Sequence, residues 1–165
     1  MSTIEESIDI EVPVRAAYDQ WTQFEEFPAF MEGVESVTQI DDTHLHWIAE
    51  IGGVRREWDA VISEQHPDER VAWTSTTGTS NAGVVTFHRL DETSTRVMLQ
   101  LDVEPDGFVE HVGDALGIIR RRAVGDLGRF KDLIEQRGAA DGGWRGDVSN
   151  NSGAHTTNDR KDVPS

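Results

Sequence analysis

The stretch WTQFEEFPAFMEGVESV, residues 21–37, carries more large apolar side chains than a solvated connection between two elements would need. Pro28 disfavours helical geometry at the residue before it, and Gly33 lets the backbone turn into the strand-like run that follows. Two interpretations stay open: a short amphipathic cap on a core, or the mouth of a pocket. The large apolar residues of the stretch are Trp21, Phe24, Phe27, Phe30 and Met31.

The residues before this stretch predict a strand and then a helix. Residues 1–12 alternate between acidic or hydroxyl side chains and the apolar side chains of Ile4, Ile8, Ile10 and Val12. Such alternation is typical of a half-buried strand. After Pro13, apolar residues recur at helical spacing to about residue 22, which predicts a short first helix.

Six strand-like runs follow the aromatic stretch, and turn signals such as Gly52-Gly53 and Pro67-Asp68 separate them. Connections this short predict antiparallel neighbours, because parallel strands need a crossover of about a dozen residues or more. The predicted strands span residues 36–40, 44–51, 54–64, 70–75, 83–89 and 96–103.

The apolar period then changes from that of a strand to that of a helix. Separations of three and four residues between positions 108 and 134 predict one long helix whose apolar stripe faces the sheet. Strands followed by a packed helix indicate an α+β fold. The stripe consists of Phe108, Val112, Leu116, Ile119, Ala123, Leu127, Phe130 and Ile134.

The length of 165 residues suits one domain with a sizeable core. We expect this domain to span residues 1–138. Residues 139–165 are rich in Gly, Asn, Ser, Thr and Asp, which predicts a polar, disordered C-terminal tail. Trp144 interrupts this tail, either as a lid or anchor or simply as an exposed side chain.

Composition excludes several functions. With 31 acidic and 15 basic residues, the net charge of −16 argues against direct contact with nucleic acid. No apolar run approaches the roughly 18 residues that span a bilayer, so we expect no membrane insertion and a cytoplasmic location. The absence of cysteine excludes thiolate chemistry, and the histidines lack the spacing of a helical metal pair. We therefore expect no metal and no cofactor.

The order of these elements, the segment FPAFMEGVESV, the hairpin region from Trp58 to Pro67-Asp68, the GVVTF strand and the long final helix resemble the START-like, or helix-grip, superfamily, also called SRPBCC. Within it, residues 2–137 look most like the polyketide cyclase/dehydrase and coenzyme Q-binding branch. The resemblance implies a curved antiparallel sheet of about seven strands wrapped around the C-terminal helix. It also implies a deep apolar cavity between them, used in the family for lipids, quinones, polyketides or plant hormones.

Strand alternation and the helical stripe predict which side chains face that cavity, although large aromatic side chains can also simply fill a core. The aromatic stretch would supply its entrance, formed by Phe24, Phe27, Phe30 and Met31. The predicted cavity residues are Trp47, Trp58, Trp73, Val85, Phe87, Leu99, Leu101, Val112, Leu116 and Ile119.

Arg56 is the weak catalytic candidate, since it shares the inward phase of Trp58. In an apolar pocket, a guanidinium could hold a carboxylate or polarise a carbonyl. Alternatively, Arg56 lies at the rim and pairs with Glu50 or Glu57. The cyclases that the chain resembles are expected to carry an arginine where this sequence has Gln65, which weakens the transfer of cyclase activity.

The sequence thus favours a binding or carrier protein for a hydrophobic small molecule. The first alternative is a polyketide cyclase/dehydrase-type enzyme in which Arg56 stabilises developing negative charge. The second alternative is a protein-interaction module related to ribosome-associated toxins, which would imply a protein partner.

Overall fold

The structure is a computed structural model that describes residues 2–51, 53–104 and 115–137, and the backbone of residues 147–149 and 153–155. Two α-helices are described, together with one short 3-10 helix, Phe24–Ala29, and nine strands. The α-helices are α1, Val14–Trp21, and α2, Ala115–Arg137. The strands are β1 Ser2–Ile10, β2 Val34–Gln39, β3 His44–Ile51, β4 Val54–His66, β5 Arg70–Gly78, β6 Asn81–Asp91, β7 Ser94–Val103, β8 Asp147–Ser149 and β9 Gly153–His155.

Seven of the strands form one curled antiparallel sheet in the order β1-β7-β6-β5-β4-β3-β2. The chain runs as a meander from β2 to β7, and β1 closes the far edge by pairing with β7 from Ser2 opposite Val103 to Ile10 opposite Thr95. Register shifts interrupt the pairing of β4 with β5 between Asp59 and Ala60 and between Ile62 and Glu64. Such bulges bend a strand and increase its twist, which favours the curl.

Helix α2 lies against this sheet through one apolar stripe, and the predicted helix-grip arrangement is confirmed. The stripe follows from the spacing of three and four residues along a helix of 3.6 residues per turn. Its buried members are Ala115, Ile119, Ala123, Leu127, Phe130 and Ile134. The predicted stripe residues Phe108 and Val112 lie outside the described residues.

Among the described residues, the buried side chains of the core form two clusters. One lies beneath α1 and the 3-10 helix and includes Phe30, Phe87 and Phe130. The other surrounds the first turns of α2 and includes Ala49 and Ile119. Val34 and Trp47 are partly buried and pack against both clusters, so they connect the two parts of the core.

Strands β8 and β9 lie within residues 139–165, for which composition predicted a disordered tail. Strand β8 pairs with the end of β4, with Val148 opposite Gln65, and β9 pairs with β8. A boundary at residue 138 stays a prediction, and Trp144 lies outside the described residues. Within residues 2–51, 53–104 and 115–137, neither α-helix combines the length and apolar content needed to cross a membrane.

Candidate ligand cavity

A cavity of about 150 Å³ lies between the concave face of the sheet and α2. Strand alternation turns every second side chain of β3, β4, β5 and β7 toward it. Three of the described residues that line it are polar: Asn81, Arg122 and Asp126. The apolar lining residues are Trp21, Phe24, Phe27, Met31, Val34, Leu45, Trp47, Trp58, Ile62, Val71, Trp73, Leu99, Leu101, Ile119, Ala123 and Leu127.

The tryptophans of the sheet sit beside one another because the strand register aligns them. Trp47 on β3 pairs directly with Trp58 on β4, and their rings stack with centroids 5.6 Å apart and an interplanar angle of 11°. Trp73 on β5 pairs with Ile62 on β4. Directly opposed residues of an antiparallel pair project to the same face of the sheet, so these side chains form one continuous apolar wall.

The residues of the aromatic stretch divide between the cavity lining and the core. Phe24, Phe27 and Met31 line the cavity. Phe30 is 2% exposed and does not line it, because its ring packs against Phe130 with centroids 5.1 Å apart. The stretch is therefore part cavity wall and part core.

Most of the predicted cavity residues meet at this wall. Six of them line the cavity: Trp47, Trp58, Trp73, Leu99, Leu101 and Ile119. The structure does not bring Val85 and Phe87 there, since this part of β6 lies beneath α1, where Phe87 packs against Tyr18 with ring centroids 5.5 Å apart. Leu116 packs against the second core cluster instead, and Val112 lies outside the described residues.

Sequence reasoning missed other lining residues, some of which had a signal. Alternation through Trp47 and Trp73 also selects Leu45 and Val71, and the helical stripe already contained Ala123 and Leu127. Arg122 and Asp126 carried no such signal. Arg122 stands in a run of three arginines, residues 120–122, and no pattern in that run distinguishes it from its neighbours.

Arg56 lies outside the described cavity lining. It lies opposite Ala49, one pleat nearer the β3–β4 turn than Trp58, and does not line the cavity. In the described part of the chain, no ion pair joins it to Glu50 or Glu57, and its Nε atom is buried without a hydrogen-bond partner. The strand phase predicted its face correctly but not its distance from the cavity.

Gln65 also lies on the concave side of β4. It pairs with the lining residue Val71 and is 1% exposed, yet it does not line the cavity. Its Oε1 atom accepts no hydrogen bond from the described residues.

Three polar residues on one face of α2, Arg122, Asp126 and Arg129, tie the end of the aromatic stretch to the helix. We call them the rim cluster. Arg122 donates hydrogen bonds to the carbonyl oxygens of Glu32 and, at 3.4 Å, Glu50. Asp126 accepts one from the amide of Glu32 at 3.1 Å. Arg129 donates to the carbonyl oxygen of Phe30 at 2.9 Å. Together the three side chains attach the backbone of residues 30–33 to α2.

The electrostatics of the rim cluster centre on a partly desolvated carboxyl. Burial raises the pKa of Asp126 above its ordinary value. The hydrogen bonds from Arg129, at 2.5 Å, and from the Glu32 amide oppose that shift because they favour the ionised carboxylate. Both charged residues among the described lining residues, Arg122 and Asp126, are thus already hydrogen-bonded to residues 30–33.

Two indole N–H groups in the wall differ in their partners. Trp73 Nε1 donates to Asn81 Oδ1 at 3.2 Å. Two further hydrogen bonds fix Asn81. Its backbone N–H donates to Ser75 Oγ at 2.9 Å, and its side-chain Nδ2 donates to the Thr79 carbonyl oxygen at 3.1 Å. Trp47 Nε1 is buried and has no hydrogen-bond partner among the described residues.

Among the residues that the structure describes, no group of three or more His, Asp or Glu side chains is arranged to hold a metal ion. A histidine with two carboxylate neighbours lies on the convex face of the sheet. There His46 Nδ1 lies 2.5 Å from Asp59 Oδ1, and His46 Nε2 lies 3.6 Å from Glu57.

Comparison with known proteins agrees with the fold. The chain is 58% identical over 149 residues to an uncharacterized 17.2 kDa protein of Streptomyces lincolnensis. The aligned region covers 90% of this chain and 99% of that protein. An aromatase/cyclase from Streptomyces sp. R1128 has a similar structure, with a TM-score of 0.68 at 16% identity, over 87% of this chain and 99% of the other.

A START superfamily protein from Mycobacterium smegmatis is also similar, with a TM-score of 0.64 at 14% identity, over 82% of this chain and 95% of the other. At such low identities these two structures support the fold alone. The sequence profile of the family described as polyketide cyclase/dehydrase and lipid transport matches residues 10–132. The resemblance seen in the sequence is confirmed, and the chain belongs to the polyketide cyclase/dehydrase and lipid transport family.

Proposed function

We propose that this protein binds a small apolar molecule in the cavity between the sheet and α2, and acts as a binding or carrier protein. The observation that carries this proposal is the wall itself, in which aromatic and aliphatic side chains surround the space and the polar groups are few. Water in such a space finds few hydrogen-bond partners, so an apolar ligand that replaces it is favoured.

The size of the cavity limits the ligand. Its volume is about 150 Å³, and an apolar cavity of about that size in a protein stays dry and binds a benzene-sized molecule. In this conformation the cavity suits one ring, or two fused rings with small side-chain movements. A lipid, quinone or polyketide-like ligand of greater length would need the rim cluster to release residues 30–33.

The geometry of the cavity gives weaker support to an enzymatic function. A cyclase/dehydratase-type reaction would need an acid or base at the substrate, and Arg56, the residue first considered, lies away from the wall. Asp126 favours this alternative most, because it lines the cavity and burial raises its pKa. Its hydrogen bonds to Arg129 and Glu32 give it a structural function already. A protein partner and a cytoplasmic location stay predictions.

A matched pair of substitutions on α2 tests the proposal. Ala123 is buried and lines the cavity, whereas its neighbour Val124 is 48% exposed. Ala123→Leu places three additional carbons in the cavity, and Val124→Leu adds one outside it. The probe is α-naphthylamine, whose fluorescence brightens and shifts to the blue when it leaves water for an apolar site.

We expect the wild type and Val124→Leu to bind the probe alike, and Ala123→Leu to bind it at least about tenfold more weakly, since filling the site costs one or more ring contacts. Thermal unfolding of the three proteins checks that Ala123→Leu is folded. Equal affinity of folded Ala123→Leu and the wild type would contradict binding in this cavity.

A further inference from the structure

The last residues of β4 extend beyond the strand that pairs with the rest of it. Strand β3 pairs with β4 from Val54 to Val61, and the Ile62 amide then donates to the carbonyl oxygen of Thr43, just before β3, at 2.7 Å. Residues 63–66 continue past that point, and the other side of this segment pairs with β5. The side that β3 does not reach is therefore an edge of the sheet, which we call the β4 edge.

The C-terminal segment fills the β4 edge. Gln65 pairs with Val71 of β5 and also with Val148 of β8. A residue in a sheet has one neighbouring strand on each side, so β8 lies on the side that β3 does not reach. Strand β9 then pairs with β8. The structure thus shows that the β4 edge accepts an extended strand.

The two outer strands of the sheet are covered in a different way. Strand β1 lies against α2, whose Lys131 Nζ donates to the Asp9 carbonyl oxygen at 3.0 Å. Strand β2 donates its Gln39 amide to the carboxylate of Glu25 at 2.9 Å. Side chains take up backbone groups at these two strands, whereas a strand covers the β4 edge. An edge that pairs through its backbone can add a strand from another chain in the same way.

The strand that the structure shows on the β4 edge is β8, and every further copy of the chain carries the same strand. Nine residues, 138–146, connect α2 to β8, and four of them are glycine. Fully extended, a segment of that length spans about 30 Å. A β8 strand from a second copy would form the same backbone pairing as the chain's own strand, so an exchange of β8 loses no strand pairing.

We propose that the β4 edge is an interaction surface for a second copy of this chain, and that two copies exchange β8 to form a dimer. In the monomer, the chain's own β8 competes with an incoming strand at an effective concentration of about 1 mM, the range found for short linkers. The dimer therefore becomes populated as the protein concentration approaches that value. A chain whose own β8 cannot pair leaves the β4 edge open to a strand from outside.

The test disables β8 in the full chain. Val148→Pro removes a backbone N–H from the middle of β8, and proline is disfavoured within a paired strand. Thr157→Pro, which places a proline after β9, is the matched control. Amide hydrogen exchange at residues 63–66 reports whether the β4 edge is occupied. Sedimentation of each protein between about 0.01 and about 1 mM reports the dimer.

We expect the wild type and Thr157→Pro to be monomers at micromolar concentration and to form dimers near about 1 mM, whereas Val148→Pro stays monomeric. Exchange at residues 63–66 should be faster in Val148→Pro than in the other two proteins. A synthetic peptide of residues 144–156 should bind Val148→Pro at least about tenfold more tightly than the wild type, whose edge is occupied. The peptide should shift the amide resonances of residues 63–66.

Equal exchange at residues 63–66 in the wild type and Val148→Pro, or no binding of the peptide to folded Val148→Pro, would refute the β4 edge as a site for β8. A dimer that Val148→Pro forms as readily as the wild type would show that two β4 edges pair directly, without exchange. A wild type that stays monomeric at about 1 mM would overturn the proposal even where Val148→Pro fails to fold. Binding of α-naphthylamine, which tests the proposed function, is independent of all these results.

Discussion

At the scale of single residues, Gly33 shows how closely the rim cluster is fitted to the aromatic stretch. Gly33 and Gly53 both have left-handed backbone angles, with φ of 85° and 84°. A Cβ atom on Gly33 would overlap the guanidinium of Arg122 and the carbonyl oxygen of Glu50, whereas a Cβ on Gly53 would meet nothing. A side chain would therefore adopt the same unfavourable backbone angle at either position, but only at Gly33 would it also overlap neighbouring atoms.

We expect Gly53→Ala to lower the free energy of unfolding by about 1–2 kcal/mol, the cost of a left-handed angle at a residue with a Cβ atom. Gly33→Ala should lower it by about 1–3 kcal/mol more, because the side chain or the backbone must move. Urea unfolding of both variants measures the difference. Equal losses would show that the contacts of Arg122 and Glu50 with residue 33 are not formed in solution.

Phe30 and Met31 are adjacent but should respond differently to substitution. Phe30 packs against Trp21 and Phe130, while Met31 lines the cavity. Phe30→Leu should lower the free energy of unfolding by about 1 kcal/mol through looser packing and leave the affinity for α-naphthylamine almost unchanged. Met31→Gln should weaken that affinity several-fold. Urea unfolding measures the stability of both variants, and titration with α-naphthylamine measures their affinity. Loss of affinity in Phe30→Leu but not in Met31→Gln would refute the assignment of Phe30 to the core and Met31 to the cavity.

At the scale of elements, the rim cluster attaches the end of the aromatic stretch to α2 by hydrogen bonds. Arg129 donates to the Phe30 carbonyl oxygen and to Asp126. Arg129→Gln should therefore free residues 30–33, speed amide hydrogen exchange at Glu32, and raise the association and dissociation rates of α-naphthylamine together. Stopped-flow fluorescence and exchange measurements check both effects.

Arg120→Gln is the matched control for this prediction. Arg120 lies on the same helix but pairs with Glu6 on β1 at 3.3 Å, away from the aromatic stretch. Its loss should change neither the exchange at Glu32 nor the probe kinetics. If Arg129→Gln behaved like Arg120→Gln, the rim cluster would not control access to the cavity.

The elements themselves could be predicted because their periodicity is a local property. Alternation predicted all seven strands of the main sheet, and spacing predicted the stripe of α2, since a half-buried strand and a helix against a sheet each impose one repeat. The rim cluster could not be predicted in this way. Arg122 and Arg129 bond to backbone carbonyl oxygens, which no residue type marks in the sequence.

The extent of the cavity is likewise a tertiary property. Strand phase predicts the face on which a side chain lies, and it was correct for Trp58 and Arg56 alike. It does not predict how far along the strand the cavity continues. Arg56 and Phe87 lie beyond its two ends, one toward the β3–β4 turn and the other beneath α1.

At the scale of the whole molecule, the convex face of the sheet gives stability a dependence on pH. The hydrogen bond to Asp59 raises the pKa of His46 above its ordinary value of 6.5, and Asp59 has a lowered pKa through the same contact. Because the pKa of His46 is raised, the contribution of its charged form to the free energy of unfolding is fully present below pH 6.5. That contribution is lost as pH rises through the raised pKa. The lowered pKa of Asp59 means that its own contribution is lost in acid.

We therefore expect the free energy of unfolding to fall as pH rises above about 6.5, and His46→Gln to make it less dependent on pH there. Asp59→Asn should have the same effect, because it removes the partner that raises the pKa of His46. Urea unfolding at several pH values measures these slopes. A slope unchanged in both variants would show that the His46–Asp59 pair does not form.

The cavity is a property of the whole molecule, because the sheet, the aromatic stretch and α2 together form its wall. Native mass spectrometry of the full chain, purified from its own host, shows whether the cavity holds a ligand. We predict a mass above that of the bare chain by that of one small organic molecule for the wild type and Val124→Leu, and the bare mass for Ala123→Leu. A wild type at the bare mass that also failed to bind α-naphthylamine would contradict the account.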